Sequence, residues 1–188
     1  MSKTRVLVTV KTYPTLSQKY DELVCTAGFQ EDGSWIRIYP VPFRKLDTQY
    51  KKWQWIELDL VKNEEDPRKE SYRPCNYEDI SLGEFIDTKN KWGERKKYAL
   101  NKVYTNMEEL IQEAKDPSIG TSLAVFKPTE IVDFVWEPCA REWDEKKVKA
   151  IYNRAAQGNL FDTEEERQVK RHFKIVDKVP YEFSYVFK

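Results

Sequence analysis

Trp35-Ile36-Arg37-Ile38-Tyr39-Pro40-Val41-Pro42-Phe43-Arg44-Lys45, followed closely by Trp53-Gln54-Trp55-Ile56-Glu57-Leu58-Asp59-Leu60, decides how the rest of the chain is read. Side chains alternate across a β-strand, and both runs alternate. In the first, Ile36 and Ile38 share one face, opposite Trp35, Arg37 and Tyr39. In the second, Ile56, Leu58 and Leu60 oppose Trp53, Trp55, Glu57 and Asp59. A strand that only packs sets aliphatics inward and ordinary polar residues outward. Here the non-aliphatic faces carry flat rings beside an arginine, and Arg44, Lys45, Lys51 and Lys52 follow. Rings stack on bases and cations meet phosphates, so the pattern fits a nucleic-acid surface. It also fits rings packed against a second layer of the same protein.

Outward from these runs, the first half reads as β-rich. Arg5 to Thr12 is a strand ending at Tyr13-Pro14, and Glu22 to Phe29 is a second. Gln30 to Ser34, with Asp32-Gly33 inside it, is a hairpin turn into the Trp35 strand. Pro40 and Pro42 end that strand or set it at an edge. Trp53 to Lys62 reads as one long strand, closed by a charged turn around Asp66-Pro67. Residues 71–102 are polar and irregular, with short strands. Thr105 and Glu108 then form a capping box before a helix whose stripe is Met107, Leu110, Ile111 and Ala114, ending ahead of Pro117.

Strands return at Ser122–Phe126 and Ile131–Trp136. Asp144 caps a helix to Ala156 with Val148, Ile151, Tyr152 and Ala155 turned inward, and Thr163 to Glu166 opens a short third helix to Arg171. The chain finishes in strands at Phe173–Val179 and Tyr181–Phe187, the latter with Tyr181, Phe183, Tyr185 and Phe187 on one face. Strands, helix, strands, two helices and strands fit a duplicated, mainly β (α+β) barrel architecture.

Lys plus Arg and Asp plus Glu each number 32 among the 188 residues, so the formal net charge is zero. That counts against a general basic DNA coat and confines any phosphate binding to a patch. Lys89, Lys91, Arg95, Lys96, Lys97 and Lys102 form the densest basic run, with Trp92 and Tyr98 interleaved; such a run reads first as a solvated loop. No leader or bilayer-length apolar span is seen, so a cytoplasmic protein that does not enter a membrane is expected. Cys25, Cys75 and Cys139 are far apart and read as free thiols.

Catalytic signals are sparse. His172 is the one histidine, and no nucleophile elbow or Gly-rich phosphate loop accompanies it. Glu57 and Asp59, with Lys62 behind them, have the composition of a magnesium nuclease site and also that of an ordinary exposed strand. No catalytic residue, metal or cofactor is therefore expected. Gln157-Gly158-Asn159-Leu160-Phe161 matches Gln-x-x-Leu-Phe and resembles sliding-clamp-binding peptides, while Leu160 equally fits a hydrophobic staple before Thr163.

Val10-Lys11-Thr12-Tyr13-Pro14, Ser17, Lys19-Tyr20, Glu22 to Gly28 and Trp35 to Arg44 together resemble prokaryotic dual-OB domain proteins, often met near mobile elements and phage-defence genes. Asp66 to Pro74 and Val179 to Tyr185 extend the resemblance over most of the chain. It implies two OB-like β-barrels with three inserted or flanking helices: an N-terminal barrel over 1–102 and a C-terminal barrel with helices over 103–188, closely packed on the first. Relatives are expected to continue into a Cys/His-containing segment, which is absent or removed here because the sequence stops at Lys188.

OB barrels bind single strands on an exposed sheet face. The expected function is thus a non-catalytic module for single-stranded DNA or RNA. Trp35, Tyr39, Trp53 and Trp55 would stack, and Arg37, Arg44, Lys45, Lys51 and Lys52 would meet phosphates. A protein-interaction accessory of a defence system or phage, a metal-dependent nuclease, and a pocket for one flipped or modified base are the alternatives.

Overall fold

The computed structural model describes residues 3–17, 21–42, 50–156 and 174–188. Strands β1 (Thr4–Lys11), β2 (Thr15–Ser17), β3 (Asp21–Phe29), β4 (Trp35–Pro42), β5 (Gln54–Leu58), β6 (Leu60–Lys62), β7 (Ser71–Pro74) and β8 (Ser81–Phe85) form one sheet in the order β6-β7-β4-β3-β1-β5-β8, with β2 paired to β3. The protein is mainly β, and this sheet is curled into a half-barrel. All its pairings are antiparallel except β4 with β7. Register shifts between Val8 and Val10 and between Val24 and Thr26 supply the curl, since a bulge bends its strand and increases its twist.

The long strand expected from Trp53 to Lys62 breaks at Asp59 into β5 and β6. The break has a clear use, because β5 pairs with β1 while β6 pairs with β7. One segment therefore serves both ends of the curl. Inside lie Val6, Val8, Val24, Ile36, Ile38, Val41, Ile56, Leu58 and Tyr50, each nearly sealed from solvent. The aliphatic faces of the two opening runs thus point inward, and burying each such side chain contributes about 1.5–3 kcal/mol. The turn into β4 is the expected hairpin, with Gly33 at φ 82° and Gln30 N–H donating to Ser34 O.

Beyond the sheet come α1 (Lys89–Ala99), β9 (Val103–Tyr104), α2 (Met107–Lys115), β10 (Val125–Phe126), β11 (Ile131–Pro138), α3 (Glu145–Ala156) and β12 (Tyr181–Phe187). A second five-strand barrel over 103–188 is not what the described residues form. They make a two-residue parallel pair, β9 with β10, and a separate antiparallel pair, β11 with β12. The expected strand at Phe173–Val179 is likewise absent from 174–180, where side chains take the place of a neighbouring strand. Val176 N–H donates to Glu22 Oε1, its carbonyl accepts from Trp143 Nε1, and Asp177 O accepts from Tyr13. Leu16, Ile151 and Ile175 form a small second core there.

The cap of α2 is Asn106 and not Thr105, its side chain accepting from Glu108 and Glu109 N–H. Asp144 does cap α3, accepting from Lys147 N–H. The expected Thr163 helix, His172 and the Gln157–Phe161 clamp motif lie outside the described residues, as do Arg44 and Lys45. All three cysteines are free, and no described helix is long and apolar enough to cross a membrane.

Two consequences can be measured. A Cβ on Gly28 would sit 1.9 Å from Leu7 O, so Gly28→Ala is expected to cost about 3 kcal/mol in urea unfolding; an unchanged midpoint would contradict the close β1–β3 approach. Burial pushes the Tyr50 phenol up to about 12, although its hydrogen bond with Thr26 pulls the other way. A raised phenol contributes stability below its ordinary value near 10 that is lost as pH climbs through 12. Tyr50→Phe should remove that loss, so the two proteins' unfolding free energies converge between pH 10 and 12.

Candidate nucleic-acid interface

Arg95 on α1 is 7 % exposed, and its guanidinium carbon lies 4.9 Å from the Trp53 ring centroid, 5.2 Å from Trp92 and 5.6 Å from Phe85. Its Nε–H donates to Ile86 O at 2.9 Å. A cation this buried needs compensation, and the negative faces of aromatic rings plus one carbonyl provide it. Three segments are thereby pinned together: the start of β5, the end of β8 and α1. Ile86 N–H donates to Trp53 O, and Trp53 N–H to Val8 O, fixing the strand ends beneath the rings.

Backbone strain gathers at the same place. Trp53 has φ 65°, and Asn90, Lys91 and Trp92 form a left-handed turn with φ 51°, 54° and 67° before α1 turns right-handed. A non-glycine residue in this region costs about 1–2 kcal/mol, and such costs persist where surroundings over-determine them. Both tryptophans that face Arg95 carry this cost. Trp92 and Phe85 are nevertheless about half exposed. The segments that carry the rings also carry exposed lysines, Lys51 and Lys52 just before Trp53 and Lys89, Lys91, Lys96 and Lys97 on α1. Lys89 pairs with Asp87 and Lys97 with Glu94, whereas Lys51, Lys52, Lys91 and Lys96 have no acidic partner among the described residues.

The residues expected to bind are divided by the fold. Trp53, Lys51 and Lys52 join this cluster. Trp55 does not: it is 5 % exposed, with Arg5 over its ring at 4.7 Å and Tyr98 edge-on at 5.5 Å, so it packs as a second-layer ring and cannot stack on a base. Trp35 is half-buried against Phe29, 4.2 Å away, and helps line a cleft of about 350 Å³ with Gly33, Asn101, Lys102 and Tyr104. Arg37 is committed within the protein, donating to Cys25 Sγ and Ser122 Oγ. Tyr39 alone of that strand face is exposed.

Nor do the carboxylates gather. Glu57 faces Arg5 at 3.6 Å, and Lys62 Nζ donates to Arg68 O and Lys69 O, closing the β6–β7 turn. The Arg68 guanidinium, with help from Ser71, holds the Asp66 carboxyl of that turn well below the usual carboxylate range. Among the described residues, no three His, Cys, Asp or Glu side chains form a group able to hold a metal.

Residues 2–101, the sheet and α1 together, match a family described as a domain of unknown function, DUF8758. The chain belongs to that family. Residues 103–188 match a second domain of unknown function, DUF8757. No curated protein and no solved structure matches the chain.

Arg95 stood in the basic run read from the sequence, but its burial among rings, the part played by Phe85 and the folding of 89–99 into a helix were not foreseen. A signal existed in Trp92-x-x-Arg95-x-x-Tyr98, whose spacing sets Arg95 and Tyr98 on one helical face. Arg95→Ala is expected to lose about 3 kcal/mol, since it removes the cation from the rings and orphans Ile86 O. Arg95→Lys, a point charge without the planar fork, should recover only part of it in denaturant unfolding.

Proposed function

We propose that this protein binds single-stranded nucleic acid, without chemistry, on the surface where Trp53, Phe85 and Trp92 surround Arg95. The observation that carries this is the meeting of two basic, ring-bearing segments. Lys51 and Lys52 arrive beside Trp53, and Lys89 and Lys91 beside Trp92, although some forty residues separate the two in sequence. Half-exposed rings present π-faces to unpaired bases, and lysines without acidic partners meet the phosphates between them. Arg95 orients the rings, so little side-chain freedom is lost when a base stacks.

The strand order supports an OB-like reading of the first half. β1 pairs with β3 and β5, β3 with β4, β4 in parallel with β7, and β7 with β6. Taking β5 and β6 as one broken strand, the pairing order of these five strands resembles that expected of an OB barrel. Residues 103–188 act in this proposal as an accessory part. A cytoplasmic role in phage defence or mobile-element biology rests on the resemblance to dual-OB proteins alone. The strand face of Trp35, Arg37 and Tyr39 contributes through Tyr39 at most, because Arg37 is engaged with Cys25 and Ser122.

Fluorescence anisotropy with labelled single-stranded DNA and RNA tests the proposal. Trp92→Ala should weaken binding about tenfold, the cost of one lost stack. Lys51→Ala plus Lys52→Ala should reduce the salt slope by about 1.4, at about 0.7 per phosphate contact. Wild-type protein that fails to bind at low salt, or binding indifferent to both changes, would remove the assignment.

A further inference from the structure

The antiparallel pair β11–β12 carries a continuous sheet of rings. Its register sets Phe134 against Tyr185 and Trp136 against Phe183, so strand alternation places Phe134, Trp136, Tyr181, Phe183 and Tyr185 on one face. Phe134 stacks on Phe183 with centroids 5.9 Å apart and lies 4.9 Å from Tyr185, and Trp136 meets Tyr181 edge-on at 5.4 Å. Phe187 extends the row to Phe126 on β10. These six rings remain 37 % to 62 % exposed. The other face is different in kind, with Asp133, Glu137, Glu182 and Ser184 beside Val135 and Val186.

An isolated two-stranded sheet is marginal in water, and a contiguous apolar patch of this size marks an interaction surface. We propose that the ring face of β11–β12 docks against the same face of a second copy of this chain, forming a symmetric dimer. Its area suits that occupant. Six half-exposed aromatic side chains offer about 600 Å² per copy, hence about 1,200 Å² in all, which reaches the range of specific interfaces. A face made of like residues is self-complementary across a two-fold axis. Two such strand pairs stacked about 10 Å apart make a small sandwich in which every ring gains a partner.

Charge favours a copy over a nucleic acid on this strand pair. β11 and β12 place no charged side chain on the ring face, so none of theirs opposes the contact. Asp133, Glu137 and Glu182 lie on the opposite face, and β11 and β12 carry no lysine or arginine to meet a phosphate backbone. The dimer stands independently of nucleic-acid binding at the Arg95 cluster.

Light scattering on the full chain at micromolar concentration is expected to give twice the 22.5 kDa chain mass, with a melting temperature that rises with protein concentration. Phe183→Lys should return the mass to one chain, while Ser184→Lys on the opposite face should leave the dimer intact. If Phe183→Lys loses its circular-dichroism spectrum, Tyr185→Ser makes the same comparison more gently, and the wild-type concentration dependence needs no variant. A wild-type chain that stays monomeric overturns the proposal, even if this face captures another protein or a nucleic acid. So does a dimer that survives the ring changes.

Discussion

The guanidinium of Arg95 lies beneath three rings, with one carbonyl accepting its Nε–H, and the outer layer of the sheet is organised by that arrangement. Were the arginine to leave, α1 would keep the contact of Tyr98 with Trp55 but lose the cation that ties it to Trp53 and Phe85. Trp53 and Trp92 both adopt left-handed backbone to reach the cation. That local cost is offset by desolvated cation–π contact and by the strand-end hydrogen bonds through Trp53. A cation and rings therefore do on the outside what aliphatic side chains do on the inside.

The two faces of the sheet divide the work. Ile36, Ile38, Ile56 and Leu58 close the interior, and the break at Asp59 lets one segment pair with both ends of the curl. Across the outer face the register sets Trp35 beside Phe29, Phe29 beside Leu7 and Leu7 beside Trp55. One end of this row is sealed by Tyr98 of α1, and the other borders a cleft beside Tyr104. Rings that looked alike in sequence thus meet different fates: Trp55 is packing, Trp35 is half covered, and Trp53 belongs to the exposed cluster.

Alternation made the strands and the inward set of β4 and β5 legible, because a period of two needs no tertiary information. The Asp32-Gly33 turn and the Asp144 cap were legible for the same local reason. What covers an outward face is a long-range matter. Nothing within Trp53–Leu60 shows that Tyr98 will lie over Trp55, or that Ser122 will accept from Arg37 across the fold. Helix α1 was read as a loop because its inward stripe consists of arginine and tyrosine instead of aliphatic residues. The strand expected near 173–179 failed because Glu22, Trp143 and Tyr13 satisfy its backbone, a solution that periodicity cannot register. The aromatic alternation of Tyr181–Phe187 was visible from the start, but its pairing with Ile131–Pro138 was not.

Photocrosslinking of a single-stranded oligonucleotide carrying halogenated uracil, followed by peptide mass spectrometry, tests most directly whether the Arg95 cluster is the binding surface. Adducts on Trp92, Phe85 or Trp53 are the predicted result. Adducts confined to the Trp35–Tyr39 strand or to the Tyr181–Phe187 strand, with the Arg95 cluster unmodified, would contradict it.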